Sequence, residues 1–132
     1  MKSKGKYTEG IGRRKVSSAR VRLYSGKSAS TVNGKAVDEY FGNLSKVKEI
    51  TKPLAVTSLE GKLFFSAVVK GGGCTGQIEA IQLGLARALY KMDETLKPIL
   101  RKNGLITRDS RMVESKKVNF KKSRKKPQFS KR

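Results

Sequence analysis

The chain has 132 residues, room for one domain, and sets 31 Lys+Arg against 10 Asp+Glu for a formal charge of +21. It has no histidine and one cysteine, Cys74, which excludes a histidine-based triad, a zinc site built on histidines or on four cysteines, and an internal disulfide. No apolar run approaches the roughly 18 residues of a spanning helix and none follows the basic start as a signal peptide requires, so the expectation is a soluble, cytoplasmic protein with a polyanionic partner and no membrane.

In chain order, Arg13-Arg14-Lys15 lies in a first strand region, preceded by Gly10 and Gly12. Ala19, Val21 and Leu23 alternate with Arg20 and Arg22, which predicts a strand with one buried and one basic face. Gly26-Lys27-Ser28 reads as a turn and Ser30-Thr31-Val32 as a returning strand ended by Asn33-Gly34. Short helices follow over Val37–Phe41 and around Leu44–Ile50, the second stopping before Pro53. The almost continuously apolar Leu63–Val69 predicts a central strand buried on both faces. The clearest helix spans about Gln77 to Met92, with Thr75 as N-cap and Ile78, Ile81, Leu85, Leu89 and Met92 as its core stripe. A last helix covers Leu96–Lys102, capped by Thr95, with Pro98 in its first turn and Gly104 at its end. The pattern is a sheet with helices packed on one face, an α/β (α+β) domain over residues 1–107.

The charge is concentrated at the ends: net +8 over residues 1–27, +4 over 28–107 and +9 over 108–132. From Lys116 to Arg132 there are nine basic residues and no acidic one, with only Val118, Phe120 and Phe129 as sizeable apolar groups. Such a segment cannot bury enough surface to offset chain entropy, so residues 108–132 are expected to be an extended basic tail that orders on its partner. Its two phenylalanines can stack on bases while Lys and Arg neutralise phosphates.

Gly71-Gly72-Gly73-Cys74-Thr75-Gly76 satisfies G-x-G-x-x-G literally, and Asp93 lies at the acidic position of a dinucleotide site. The context is wrong: Asp93 ends a helix where that site needs the end of a second parallel strand, and another helix follows. The Walker pattern fails too, for no Lys-Ser/Thr follows the last glycine. What remains is either a glycine-rich backbone contact to an RNA phosphate at a helix N-terminus, or a strand–helix turn with no ligand. Cys74 has no base to activate it and reads as a small turn residue. Asp109, Ser110 and Arg111 read as local hydrogen bonding where the chain leaves the domain. Arg13-Arg14-Lys15, continuous with Arg20 and Arg22, reads as a basic edge that grips phosphate and also guards the edge against aggregation.

These residues resemble one family along the whole chain. Gly12-Arg13-Arg14-Lys15 with Ala19-Arg20-Val21, then Val32-Asn33-Gly34, is similar to the N-terminal half of the ninth protein of the small (30S) ribosomal subunit, in its bacterial form. Gly71-Gly72-Gly73 with Gly76-Gln77, Ala86-Arg87-Ala88-Leu89, Thr107-Arg108-Asp109-Ser110-Arg111 with Glu114, Lys116 and Lys117, and the terminal Gln128-Phe129-Ser130-Lys131-Arg132 continue the likeness in order. The chain departs from the family at Asn119 and Ser123, where glycine and alanine are usual, and Asn119 tolerates the left-handed backbone of a glycine. The resemblance implies a mixed four-stranded sheet backed by helices, like the second domain of the fifth small-subunit protein, and a structural protein without enzymatic activity or cofactor. It implies a place in the subunit head beside neighbouring ribosomal proteins, on the small-subunit rRNA. On this reading the rRNA-binding residues are Arg13, Arg14, Lys15, Arg20, Arg22, Gly71, Gly72, Gly73, Arg108, Arg111, Lys116, Lys117, Lys121, Lys122, Arg124, Lys125 and Lys126. The tail is expected to reach the peptidyl site, where Ser130, Lys131 and Arg132 meet the anticodon stem-loop of tRNA.

Overall fold

The computed structural model describes residues 6–42 and 45–131. Strand β1 (Tyr7–Arg14) pairs antiparallel with β2 (Ser17–Ser25), Arg14 opposite Ser17, so Lys15 and Val16 form the turn between them. Lys15 has φ 53°, the left-handed backbone such a tight turn needs, and sits at the tip of the hairpin instead of inside the strand. Strand β5 (Leu63–Lys70) pairs antiparallel with β2 on its other side.

The segment after β2 does not return to pair with it. β3 (Thr31–Val32) lies beyond β5 and pairs with it in parallel, so β5 separates the two strands that are neighbours in sequence. Asn33 and Gly34, with φ 52° and 82°, do not end the sheet but fold a hairpin onto a two-residue strand β4 (Lys35–Ala36). Positive φ at both turn residues is the reason Asn-Gly serves there. The sheet therefore has five strands, in the order β1-β2-β5-β3-β4, where four were expected.

Helix α1 covers Val37–Phe41 as expected. Next comes a 3-10 segment over Ser45–Thr51, and then Pro53 opens a further short helix, α2 (Lys52–Val56), where a stop was expected. Proline suits a first helical turn, whose N–H groups lack partners anyway. Leu44 lies outside the described residues. Helix α3 (Cys74–Met92) starts from Gly73, and Thr75 lies within it instead of capping it. Ile78, Ile81, Leu85 and Leu89 are buried, whereas Met92 is 41% exposed and falls off the core stripe. Asp93, not Thr95, caps the next turn, its Oδ1 accepting from the Thr95 amide at 3.0 Å, and α4 (Lys97–Lys102) begins after Leu96.

Helix α3 lies directly on β1 and β2. A Cβ on Gly10 would come within 2.1 Å of the Gly84 carbonyl oxygen, and one on Gly12 within 1.8 Å of that of Ala80, so only glycine lets the two backbones meet. Arg87 fastens the contact by donating to the Ile11 carbonyl at 2.8 Å. The core forms between this helix and the inner sheet face, around Val21, Phe65, Ile78, Ile81, Leu85 and Leu89. β5 alternates instead of being buried on both faces: Phe65, Ala67 and Val69 point inward, while Val68 is 51% exposed. The helices cover one face and leave the antiparallel β1-β2-β5 part of the sheet free to present the other to water.

Candidate nucleic-acid interface

The pairing register places the basic residues of the strands in defined rows. Arg13 in β1, Ser18 in β2 and Lys70 in β5 lie side by side, and Ile11, Arg20 and Val68 form the next row. Glu9, Arg22, Ser66 and Thr31 form the third, and Tyr7, Tyr24 and Phe64 the last. Alternation along each strand puts all four rows on the outer face. Glu9 holds the two arginines there, its carboxylate 3.1 Å from Arg20 Nε and 4.0 Å from Arg22 Nε. Arg22 also lies over the Tyr7 ring, 4.7 Å from its centroid.

Arg14 points the other way. It alternates with Arg13, so its side chain enters the inner side, where it is 11% exposed. Its Nε donates to Glu79 of α3, and a terminal nitrogen lies 3.1 Å from Asp109 Oδ1 and donates to the Arg111 carbonyl at 3.3 Å. Arg13 and Lys15 are exposed on either side of it. One tripeptide thus supplies two outward cations and one internal clamp.

The glycine loop adjoins the β1–β2 turn. Gly71 and Gly72 have φ of 76° and 69°, and a Cβ on Gly72 would lie 2.0 Å from Ser17 Oγ. Ser17 Oγ and Gln77 Nε2 both donate to the Gly71 carbonyl at 3.1 Å. Positive φ and close packing thus account for these two glycines, and the packing brings the loop against Val16 and Ser17 of the hairpin.

From Arg108 to Lys131 there is no helix or strand among the described residues. Asp109 organises the root of the tail: it accepts from the Arg111 amide at 3.0 Å and from its guanidinium at 2.8 and 3.1 Å. Hydrogen bonds from the Arg111 side chain first, then its backbone, with the charges of Arg111 and Arg14, hold the Asp109 carboxyl well below the usual carboxylate range. Arg108 donates to the Asp109 carbonyl at 2.6 Å. The local hydrogen bonding read from Asp109 and Arg111 is present, but nothing in the local sequence marks Arg14 as joining it.

Glu114 organises the middle of the tail. Its carboxylate lies 2.9 Å from both Lys117 Nζ and Arg124 Nε, and those hydrogen bonds, Lys117 first, lower its pKa. Ser123 Oγ donates to the Glu114 carbonyl, and the Lys121 amide donates to the Lys125 carbonyl at 2.8 Å. Asn119 has φ 67° at the bend, the left-handed conformation that asparagine tolerates. The side chains of Lys116, Lys121, Lys122, Lys125, Lys126 and Lys131 form no ion pair with a described residue and are exposed. Phe129 is 91% exposed, whereas Phe120 is half-buried. Arg132 lies outside the described residues. No group of His, Cys, Asp or Glu able to hold a metal occurs among the described residues.

Comparison with known proteins settles the family. The profile described as ribosomal protein S9/S16 matches residues 12–132. The small ribosomal subunit protein uS9 of Pseudothermotoga lettingae is 47% identical over 126 residues, which cover 93% of this chain and 94% of that protein. The chain belongs to the ribosomal protein S9/S16 family. As an S9/S16 protein it is a structural constituent of the small ribosomal subunit, in the cytoplasm, and not an enzyme. The S9/S16 match runs from the first strand through the cationic tail, so the tail belongs to the family pattern as much as the packed domain does.

Proposed function

We propose that this chain binds the rRNA of the subunit head through both its folded part and its tail, and that the tail's end touches the anticodon stem-loop of the peptidyl-site tRNA. The observation that carries this reading is the exposure of the tail cations. Lys116, Lys121, Lys122, Lys125, Lys126 and Lys131 face solvent and pair with no carboxylate among the described residues, on a segment with no helix or strand there. A cationic chain of that kind gains by releasing counter-ions from RNA, and each phosphate it neutralises steepens the salt dependence of binding. Arginine adds forked contacts to phosphate and lysine adds point charges.

Residues 1–107 act as the folded platform and 108–132 as the probe. Arg13, Lys15, Arg20 and Arg22 supply phosphate contacts on the platform, together with the backbone of Gly71, Gly72 and Gly73. Arg14 serves the same end indirectly, by holding the tail root. In the tail, Arg108, Arg111, Lys116, Lys117, Lys121, Lys122, Arg124, Lys125 and Lys126 follow rRNA, and Ser130, Lys131 and Arg132 reach the tRNA. Lys117 and Arg124 exchange Glu114 for phosphate when they do so.

Deleting Lys131 and Arg132 tests the tRNA contact. Subunits are expected to assemble normally, while tRNA dissociates faster from the peptidyl site. An unchanged dissociation rate removes the tail's role there and leaves rRNA binding standing.

A further inference from the structure

The outer face of the sheet is open, and its composition is specific. Arg13, Arg20, Arg22 and Lys70 share it with one carboxylate, Glu9, so the face is strongly cationic. Ser18, Arg20, Arg22, Ser66, Val68 and Lys70 line a shallow hollow of about 280 Å³. A hollow this shallow and this charged suits a segment of a polymer.

Resting on the rRNA-binding reading above, we propose that this face holds the sugar–phosphate backbone of one rRNA strand and takes no part in reading its bases. Charge complementarity selects a polyanion. The width selects a single backbone: Arg13 and Lys70 flank Ser18 across three strands, so their Cα atoms stand roughly 10 Å apart at the usual strand spacing. The Ser18 and Ser66 hydroxyls supply neutral donors between the cations. Ile11, 47% exposed, and Val68, 51% exposed, flank Arg20 and offer an apolar pad for ribose.

Base stacking is disfavoured by what the aromatic row already does. Tyr24 and Phe64 stack on each other, with centroids 5.2 Å apart and planes at 17°. Tyr7 packs against Tyr24 at 5.8 Å, and Arg22 covers its ring. Free ring faces are what a base-reading sheet presents, and here each ring already has a partner within the protein. Glu9 holds Arg20 and the Tyr7 ring seats Arg22, so the face is organised before RNA arrives. The rows decide which residues matter, and they bring in Lys70, which lies far in sequence from the other three cations.

The test places the photocrosslinker p-benzoylphenylalanine at Val68, and separately at Phe129 in the tail, in the full-length chain assembled into small subunits. The proposal expects an rRNA adduct from position 68. A protein adduct there, or none, overturns it. If position 129 crosslinks to RNA while position 68 does not, the face fails and the tail reading stands; silence at both sinks both. A second measurement uses Arg20→Ala combined with Lys70→Ala in the intact chain. The slope of log affinity against log salt is expected to fall by about 1.4 to 1.8, equally for the small-subunit rRNA transcript and for an unrelated RNA of equal length. An unchanged slope, or a loss confined to one RNA, contradicts backbone recognition.

Discussion

Arg14 in β1 and Asp109 at the root of the tail stand 3.1 Å apart, from a terminal guanidinium nitrogen to Oδ1. The same guanidinium also holds Glu79 of α3, so one arginine ties a strand, a helix and the departing tail together. The direction in which the cationic segment leaves the domain is thereby set by an internal side chain.

Arg14→Ala is expected to lower stability by about 1–2 kcal/mol. This is less than the 3–5 of a fully buried pair, since the partner Glu79 keeps a third of its side chain in water. The sharper sign is local: trypsin should cut after Arg108 and Arg111 faster than in the parent chain, while the core melts as one unit. Equal cleavage rates would show that the clamp does not restrain the tail. Arg14→Lys keeps the charge but loses the fork and should fall between.

Gly12→Ala and Gly34→Ala separate two reasons for glycine. At Gly12 the new Cβ meets the backbone of α3, and overpacking there should cost about 3 kcal/mol or more in denaturant unfolding. At Gly34 nothing lies within 4 Å and only φ 82° is unfavourable, which costs about 1–2 kcal/mol. Similar losses at both sites would mean that α3 can move away from β1.

The Asp109 carboxyl is held below its ordinary value, so its contribution is present in full above the unfolded pKa of about 3.9 and is lost as pH falls towards the folded value. A carbon-detected NMR titration of Asp109 should find its midpoint well below 3.9. A midpoint near 4 would mean the tail root is open in solution. With no histidine in the chain, rRNA affinity should also stay flat between about pH 5.5 and 7.5.

Glu114→Gln frees Lys117 and Arg124 and removes one of the tail's two carboxylates. A tail with donor and acceptor dyes at residues 112 and 126 should expand. Affinity for small-subunit rRNA at 0.1 M salt should rise by about two- to fivefold, the scale of an exposed ion pair. An unchanged tail distance would show that the carboxylate does not hold the bend.

Much of this protein was legible in local pattern. The alternation of Ala19, Val21 and Leu23 with Arg20 and Arg22, the stripe from Ile78 to Leu89 and the extent of α1 each depend only on which side chains share a face, and that follows from the 2.0 and 3.6 periods of strand and helix. A run of like charges with few apolar groups is equally visible in the sequence, and no helix or strand forms among the described residues from Arg108 to Lys131. Pro53 and Asn33-Gly34 read as stops in the sequence, although the local chemistry of each also permits a start, and the neighbouring contacts choose the start.

What the tertiary structure decided is everything that joins distant residues. β5 inserted itself between β2 and β3, and one solvated face of Leu63–Val69 followed from the helices all lying on the other side. Arg14 looked like its neighbours Arg13 and Lys15 in sequence. Only the packing of α3 and the path of the tail brought Glu79 and Asp109 to it. The meaning of a charge is set by where its counter-charge lies, and that distance is a property of the folded chain, which no window of neighbouring residues contains.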